Sequence, residues 1–366
     1  MGDYLKAFEK HSEYETYSRG DMLKPNVSYC EDNNEVHYNP WTWADTYLTF
    51  VAKEAGTFTF TPQNSNVISY STDNGENWVT GNSVTVDSGD KVLWKGTMTP
   101  SSSGIGKFSS TANFDAEGNV MSLLFGDNFK GKVDLTGKNY AFYRLFYQNT
   151  KLVNAENLSL PATTLANYCY QSMFEGCTSL VTTSELPATT LANNCYKNMF
   201  YNCTSLTTAP ELPATTLANY CYQSMFYNCT SLTTAPELPA TTLNPSCYYG
   251  MFKGCTALTK APVLPATTLG SSCYGEMFSG CTSLTTAPVL PATTLASNCY
   301  ANMFRSCTNL NYIKAMFTTT PDSSYTSSWV DGVASTGTFV KNSAATWNVT
   351  GVDGIPTGWT VETASA

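Results

Sequence analysis

The feature that most constrains this chain is a phrase, Leu-Pro-Ala-Thr-Thr-Leu, that recurs six times at a step of 26 residues, from Leu160 to Leu290. Two cysteine series keep the same step, one from Cys169 to Cys299 and one from Cys177 to Cys307. A unit this short cannot bury an apolar face alone, so neighbouring units must stack into one continuous core. The sequence therefore predicts a solenoid of six 26-residue units.

Within each unit, an apolar stripe at a spacing of four residues predicts a helix. In the first unit the stripe consists of Leu165, Cys169, Met173 and Cys177. Thr163 or Thr164 is a candidate cap for its N-terminus. The β-formers at 180–182 predict a short strand after the helix. One helix and one strand per unit is typical of leucine-rich repeats, and the expected fold class is an α+β solenoid.

The repeats divide the chain into four expected segments. Residues 116–312 are expected to form the solenoid, with a degraded repeat at 141–152 as its N-terminal cap. Residues 313–366 are expected to close the other end with short strands around Trp329, Phe339, Trp347 and Trp359. β-forming runs at 47–51, 57–60, 67–70 and 91–94 predict a small antiparallel β-sandwich over 46–115. Residues 1–45 are interpreted as an N-terminal docking arm.

Composition excludes several function classes. Only 13% of the residues are charged and the net charge is −9, so the chain lacks the basic face that binding nucleic acid or an anionic membrane requires. No apolar run is long enough for insertion into a membrane. The N-terminus has no secretory h-region, so the protein is expected to be made in a cytoplasm and to reach its destination by another route.

No enzymatic motif is present. The only two histidines, His11 and His37, lie far from the repeats, which disfavours a Ser–His triad. Hydrolase, metalloprotease and nucleotide-binding signatures are missing. Paired carboxylates for glycan cleavage stay open, because sequence alone does not give their separation. We expect no enzymatic activity, no catalytic residues and no cofactor.

The twelve repeat cysteines allow three interpretations. The favoured one is a ladder of buried thiols that act as small hydrophobic side chains. Within one predicted helix the two cysteines would be too far apart for a disulfide, but a bridge between equivalent cysteines of stacked units stays open. Metal ligation is the least favoured, since the C-x₇-C spacing is not that of a zinc knuckle.

Residues 71–78 fit S-x-D-x-G-x-x-W, which resembles the Asp box of sialidases. That motif describes a hairpin turn, in which Asp73 binds the backbone and Gly75 adopts a positive φ. A structural role in the turn is therefore expected, and a catalytic role is not.

Comparison of the six units with one another indicates where a ligand could bind. Three pairs of positions vary between units: before the first cysteine, between Tyr and Met, and before the second cysteine. Tyr with Asn and Gln suits contacts with carbohydrate or protein. Alternatively, these are only tolerated solvent positions. The candidate ligand-binding face is Tyr168, Gln171, Glu175, Asn194, Lys197, Tyr201, Tyr220, Gln223, Tyr227, Tyr249, Lys253 and Arg305.

The repeated phrase M-F-x-x-C-T-S-L resembles the A-F-x-x-C-x-x-L core of BspA-type leucine-rich repeat proteins, which are adhesins of Bacteroidota and some protists. The resemblance spans about residues 141–312. It implies a non-enzymatic adhesion function through the repeats.

Residues 23–30 and 36–40 resemble the leader of modular proteins from gut Bacteroides phages and prophages. This resemblance implies a virion appendage, a fibre or decoration protein that is released by lysis. Residues 1–45 would then contact other virion structural proteins, and a homotrimer is a possible assembly. The repeats would bind a host-surface glycan or protein. A Bacteroidota cell-surface adhesin is the alternative, and a glycan-active enzyme is the least favoured.

Overall fold

The computed structural model describes residues 16–17, 29–32, 35–38 and 43–364. Near the N-terminus, β1 (Thr16–Tyr17), β2 (Tyr29–Asp32) and β3 (Glu35–Tyr38) form an antiparallel sheet in the order β1-β3-β2. Most of the predicted docking arm, residues 1–45, lies outside the described residues, so its role stays a prediction.

Eight short strands follow and pair with one another only antiparallel. They are β4 (Leu48–Ala52), β5 (Gly56–Pro62), β6 (Ile68–Ser71), β7 (Val79–Thr80), β8 (Ser83–Val86), β9 (Lys91–Gly96), β10 (Gly106–Ser110) and β11 (Phe114–Asn119). One sheet has the order β10-β5-β8, and the other contains β11-β4-β9-β6-β7. The four runs that sequence predicted as strands lie in β4, β5, β6 and β9.

Aromatic side chains join the two sheets face to face. Successive side chains of a strand point to opposite faces, so alternate residues of each strand reach the space between the sheets. Phe50 of β4 lies 5.4 Å from Phe58 and 4.7 Å from Phe108, both in the opposite sheet, measured between ring centroids. Trp94 lies 5.1 Å from Phe108, and all four side chains are buried.

The sheets continue directly into the repeats. After α1 (Ser122–Phe125) and a 3-10 turn (Gly126–Asn128), the short strands β12 (Leu152–Asn154) and β13 (Leu158–Ser159) pair in parallel with β11. Phe146 lies 5.8 Å from Phe108 on one side and 5.4 Å from Phe174 on the other. The sandwich therefore covers the N-terminal end of the repeats, and the buried residues form one continuous core.

The predicted helix in each repeat is wrong. From 166 to 177 the chain forms consecutive four-residue turns, in which each odd-numbered N–H from Cys169 to Cys177 donates to the carbonyl three residues earlier (3.0–3.3 Å). The even-numbered N–H groups from Tyr168 to Gly176 donate instead to the next repeat (2.8–3.0 Å). Every backbone donor from Tyr168 to Cys177 is thereby satisfied without a helix.

The strand predicted in the repeats is reduced to single bridges, which join only some of the stacked repeats. Thr182 bridges Asn154, and Thr234 bridges Lys260, in parallel. Within the described residues the α-helices are α1 and α2 (Ser323–Thr326), four residues each, and neither lies in a repeat unit. None of the described helices has the length and apolar character needed to cross a bilayer. The stacking of repeats that remains is compatible with a leucine-rich repeat solenoid.

Beyond the sixth unit the stacking continues in altered form. The N–H groups of Phe304 and Ser306 donate to the carbonyls of Trp329 (2.8 Å) and Asp331 (2.7 Å), as in the earlier repeats. The strands β14 (Tyr312–Ala315), β15 (Thr338–Lys341) and β16 (Thr360–Thr363) pair in parallel. The aromatic residues expected to close this end are all buried: Trp329, Phe339, Trp347 and Trp359.

Candidate functional site

The turns of each repeat alternate between pairs of residues that point into the core and pairs that point outward. The inward pairs are Cys-Tyr and Met-Phe, and all of them are buried. The phenylalanine rings of successive repeats stack nearly parallel, with centroids 5.4 Å apart for Phe174 and Phe200 and 5.6 Å apart for Phe200 and Phe226. The tyrosines form a second ladder, with 5.8 Å between Tyr170 and Tyr196. The core thus consists of columns of equivalent side chains.

The cysteines complete this core as free, buried thiols. The second thiol of each unit donates to the backbone carbonyl of a phenylalanine in the preceding repeat, as in Cys203 Sγ to Phe174 O (3.1 Å). Burial raises the pKa of Cys177 to about 12, so this thiol stays protonated near neutral pH. Among the described residues, no three side chains of His, Cys, Asp or Glu are grouped to hold a metal ion.

We name the outward pairs collectively the turn face. It comprises the two residues before each inward Cys-Tyr pair, the two between that pair and Met-Phe, and the two before the second cysteine. The second residue of each pair has a positive φ, as in Ser172 (55°), Asn198 (55°) and Gly254 (76°). Asn, Ser and Gly tolerate this conformation better than bulky residues do. The backbone therefore restricts the second position, although Tyr168 and Tyr220 occupy it, whereas the first position is free of this restriction.

All twelve predicted residues lie on the turn face, but they differ in exposure. Tyr220 and Arg305 are exposed. The expectation that all twelve face solvent is wrong for Asn194, whose short side chain stands between the equivalent Tyr168 and Tyr220 of the neighbouring repeats and is only 9% exposed. The remaining nine are half-buried: Tyr168, Gln171, Glu175, Lys197, Tyr201, Gln223, Tyr227, Tyr249 and Lys253.

Several of these side chains contact one another along the stack. Tyr201 and Tyr227 stack with centroids 4.5 Å apart and an angle of 8° between the rings. Lys253 Nζ lies 5.6 Å from the Tyr227 centroid and 2.7 Å from a carboxylate oxygen of Glu276. Burial, together with the hydrogen bond that its hydroxyl donates to Glu276, raises the pKa of Tyr249 to about 12. These residues form a row of aromatic and charged side chains across repeats two to five.

Three acceptor atoms of the turn face are buried without a partner among the described residues: Gln171 Oε1, Glu175 Oε2 and Gln223 Oε1. Between the two glutamines lies Lys197, whose pKa is lowered by burial and whose ammonium lies 5.9 Å from the Tyr220 ring centroid. An unpaired buried acceptor costs free energy unless a ligand or water donates to it. The first three repeats therefore offer unfilled acceptors and a donor beside aromatic rings.

The structure extends this face into the degraded repeat, which sequence reasoning treated only as a cap. Tyr140 stacks on Tyr168 with centroids 4.5 Å apart and an angle of 3°. The Arg144 guanidinium lies 5.1 Å from the Tyr143 ring centroid and 4.5 Å from that of Tyr147. Applying the offsets of the outward pairs to residues 139–148 would have identified these residues from sequence. Glu276 was also missed, because only one unit has an acidic residue at that position.

At the C-terminal end of the face, Arg305 forms an exposed ion pair with Asp331 (3.4 Å), so its charge is already partly matched. The Asp-box segment, in contrast, lies in the sandwich and forms the predicted turn. Asp73 Oδ1 accepts from the backbone N–H of Asn77 (2.9 Å), and Gly75 has a φ of 91°. This hydrogen bond and those from the side chains of Ser71 and Asn77 hold the pKa of Asp73 low, at about 2.

Two comparisons with known proteins bear on this face. A family model described as BspA type Leucine rich repeat region matches in six copies over residues 138–285 and 245–329, which together cover just over half of the chain. No curated protein matches the chain significantly.

Proposed function

Because the chain belongs to the BspA-type leucine-rich repeat family, we propose that it is a non-enzymatic adhesion protein whose turn face binds a host-surface glycan or protein. Repeats of this family indicate a surface-adhesion or protein-interaction role. To this general role the proposal adds where the ligand binds, on the turn face, and what class of ligand it is.

One observation carries the choice of the turn face. Its backbone is held by hydrogen bonds within and between repeats, and its core by the inward pairs, so the outward side chains are not needed for stacking. Half-buried tyrosines nevertheless accumulate there, including Tyr201, Tyr227 and Tyr249. Tyrosine combines contact area with a hydroxyl at a low entropic cost, which suits recognition.

Binding of the labelled full-length chain to Bacteroides cells tests the proposal by flow cytometry. The double variant Tyr201→Ala/Tyr227→Ala is expected to bind at least about tenfold more weakly, because it removes two contact residues. Val263→Ala is the control, since Val263 is 67% exposed but lies between the turns and outside the turn face. Equal binding of the double variant and the wild type would contradict the proposal.

The site of assembly is a separate part of the proposal. We propose that the protein is a virion appendage and that residues 1–45 attach it to other virion structural proteins, and a homotrimer is one possible assembly. The support is the resemblance of residues 23–30 and 36–40 to phage leaders. Immunoblots of purified virions and washed cells distinguish this from the cell-surface alternative. Signal confined to washed cells would refute attachment to the particle.

A further inference from the structure

We propose that the turn face of the first three repeats binds an extended polysaccharide chain that runs along the stack, with about one sugar ring per repeat. This inference rests on the proposed adhesion function and names the ligand class of the same surface. The surface involved comprises Tyr168, Gln171, Glu175, Lys197, Tyr201, Tyr220, Gln223 and Tyr227.

Two tyrosines of this surface, like Tyr140 in the degraded repeat, have a backbone conformation that disfavours a bulky side chain. Tyr168 and Tyr220 have φ values of 61° and 58°, in the second position of the first outward pair. Asn194 occupies the same position in the repeat between them, with a φ of 56°. A bulky side chain at positive φ is strained, whereas Asn tolerates that conformation. Strain of this kind is typical of functional sites, and here it places an aromatic ring on the surface, with Tyr220 40% exposed.

The polar groups beside these rings favour a ligand that both donates and accepts hydrogen bonds. Gln171, Glu175 and Gln223 each have a buried acceptor without a partner among the described residues, and a small outward turn of the side chain would bring that acceptor to a ligand. Lys197 supplies donors and has no carboxylate within ion-pair distance in the described part of the chain. Sugar hydroxyl groups fill both roles. A basic peptide would be repelled by Lys197, and an acidic ligand would be repelled by Glu175.

A folded protein partner fits this surface less well. Protein interfaces have an apolar central patch that excludes water. Of the large hydrophobic side chains that are exposed in the described residues, Tyr220 alone lies on the turn face. The exposed valines, such as Val181, Val263 and Val289, lie between the turns. A flat aromatic ring surrounded by amides is instead typical of surfaces that stack on sugar rings.

The repeat spacing sets the orientation of the chain. Equivalent core rings of successive repeats lie 5.4 Å apart for Phe174–Phe200 and 5.8 Å apart for Tyr170–Tyr196, and the outward rings of Tyr201 and Tyr227 lie 4.5 Å apart. This spacing is close to the advance of one sugar unit in an extended glycan. Equivalent outward positions therefore recur once per sugar along the stack, with Tyr220 as the stacking platform. The paired rings of Tyr201 and Tyr227 contact each other, so they offer edges and hydroxyls at the side.

Tyr220→Asn in the full-length chain gives the sharpest test, because it is expected to weaken binding without lowering stability. The variant is expected to unfold at an equal or higher urea concentration than the wild type, since it relieves the strain. Its affinity for purified Bacteroides capsular polysaccharide, measured by affinity electrophoresis, is expected to fall about tenfold, the equivalent of about 1.4 kcal/mol. Gln223→Ala is expected to weaken binding in the same assay, and Val263→Asn is the matched control on another surface.

Periodate treatment of the cells separates the two proposals. Periodate cleaves the vicinal diols of sugars, so cell binding is expected to be lost after treatment. If the chain binds treated and untreated cells equally, the ligand is a protein, and this inference fails while the adhesion function stands. If it binds neither, both proposals fail. If binding to polysaccharide is unchanged by Tyr220→Asn and by Gln223→Ala, the glycan binds elsewhere and the inference is also overturned.

Discussion

Raising the pH above about 8.5 should unfold the repeats steeply, because their buried thiols do not ionise in place. Burial raises the pKa of Cys169 to about 12 and that of Cys299 to about 11, and it holds the pKa of Cys195 well above its usual range. In the unfolded chain a thiol titrates at about 8.5. When the pKa of a thiol is higher in the folded protein than in the unfolded chain, its protonated form stabilises the fold, and this stabilisation is fully present below the pKa of the unfolded chain. That stabilisation is lost as the pH rises toward the folded value.

The number of thiols determines how much the free energy of unfolding falls as the pH rises. Each thiol lowers the free energy of unfolding by about 0.4 kcal/mol at pH 8.5 and about 1.4 kcal/mol at pH 9.5, relative to neutral pH. All twelve repeat cysteines are buried and free. If the repeats unfold as one unit, the total loss is about 5 kcal/mol at pH 8.5 and about 17 kcal/mol at pH 9.5. Domains of ordinary stability have about 5–15 kcal/mol, so the midpoint is expected between these two pH values.

Urea titrations at intervals from pH 7 to pH 10, followed by circular dichroism with a reductant under argon, measure this loss. The double variant Cys195→Ala/Cys221→Ala removes two of the twelve groups. Its free energy of unfolding should fall with pH about one-sixth less steeply, although the variant is less stable at neutral pH. A free energy of unfolding that is the same at pH 7 and pH 10 would refute the burial of the thiols.

Two substitutions in the repeats test the packing and the turns. Phe226→Ala should lower the free energy of unfolding by about 3–5 kcal/mol in urea titrations, because the ring is buried and stacks on Phe200 and Phe252, both 5.6 Å away. Phe226→Leu should cost clearly less, and an equal cost would argue against cavity formation. Asn198→Ala should cost about 1 kcal/mol by thermal or urea unfolding, because φ is 55° there, whereas Asn198→Gly should be nearly neutral. Equal stability of the two variants would contradict the positive φ.

The stacking of the repeats follows from sequence, but the local structure within each repeat does not. An apolar pattern of Cys-Tyr, Met-Phe and Cys at steps of four residues fits one broad face of a helix as well as it fits consecutive turns. The distinguishing signal is the residue type in the second position of the second and third outward pairs, which is Ser172, Gly176, Asn198 or Asn202 in the first two units. Ser, Gly and Asn are weak helix formers but tolerate positive φ. Weighting these residues would have favoured turns.

The turn face follows from sequence only in part. Comparing the units with one another identified the outward positions, because positions fixed by packing repeat without change. It did not separate the first residue of each pair from the second, since that difference lies in φ and not in residue spacing. It also did not reveal that Asn194 is buried, or that Tyr140 and Arg144 extend the face, because the degraded repeat lacks both cysteines. Contacts such as Lys253–Glu276 depend on the turn geometry and were not predictable.

The hydrogen-bond pattern explains why such a stack suits recognition. Each repeat donates through its even-numbered backbone groups to the next repeat, and its aromatic ladders fix the spacing, so neither interaction uses a side chain in the first outward position. Tyr143, Gln171, Lys197, Gln223 and Tyr249 occupy equivalent first positions in successive layers, with three different side-chain chemistries across one ladder of constant geometry. A substitution at these positions changes the ligand surface while the backbone hydrogen bonds and the core stay the same. Adaptation to a new ligand is therefore least constrained at first positions, whereas a change at a second position, such as that of Tyr220, must also satisfy a positive φ.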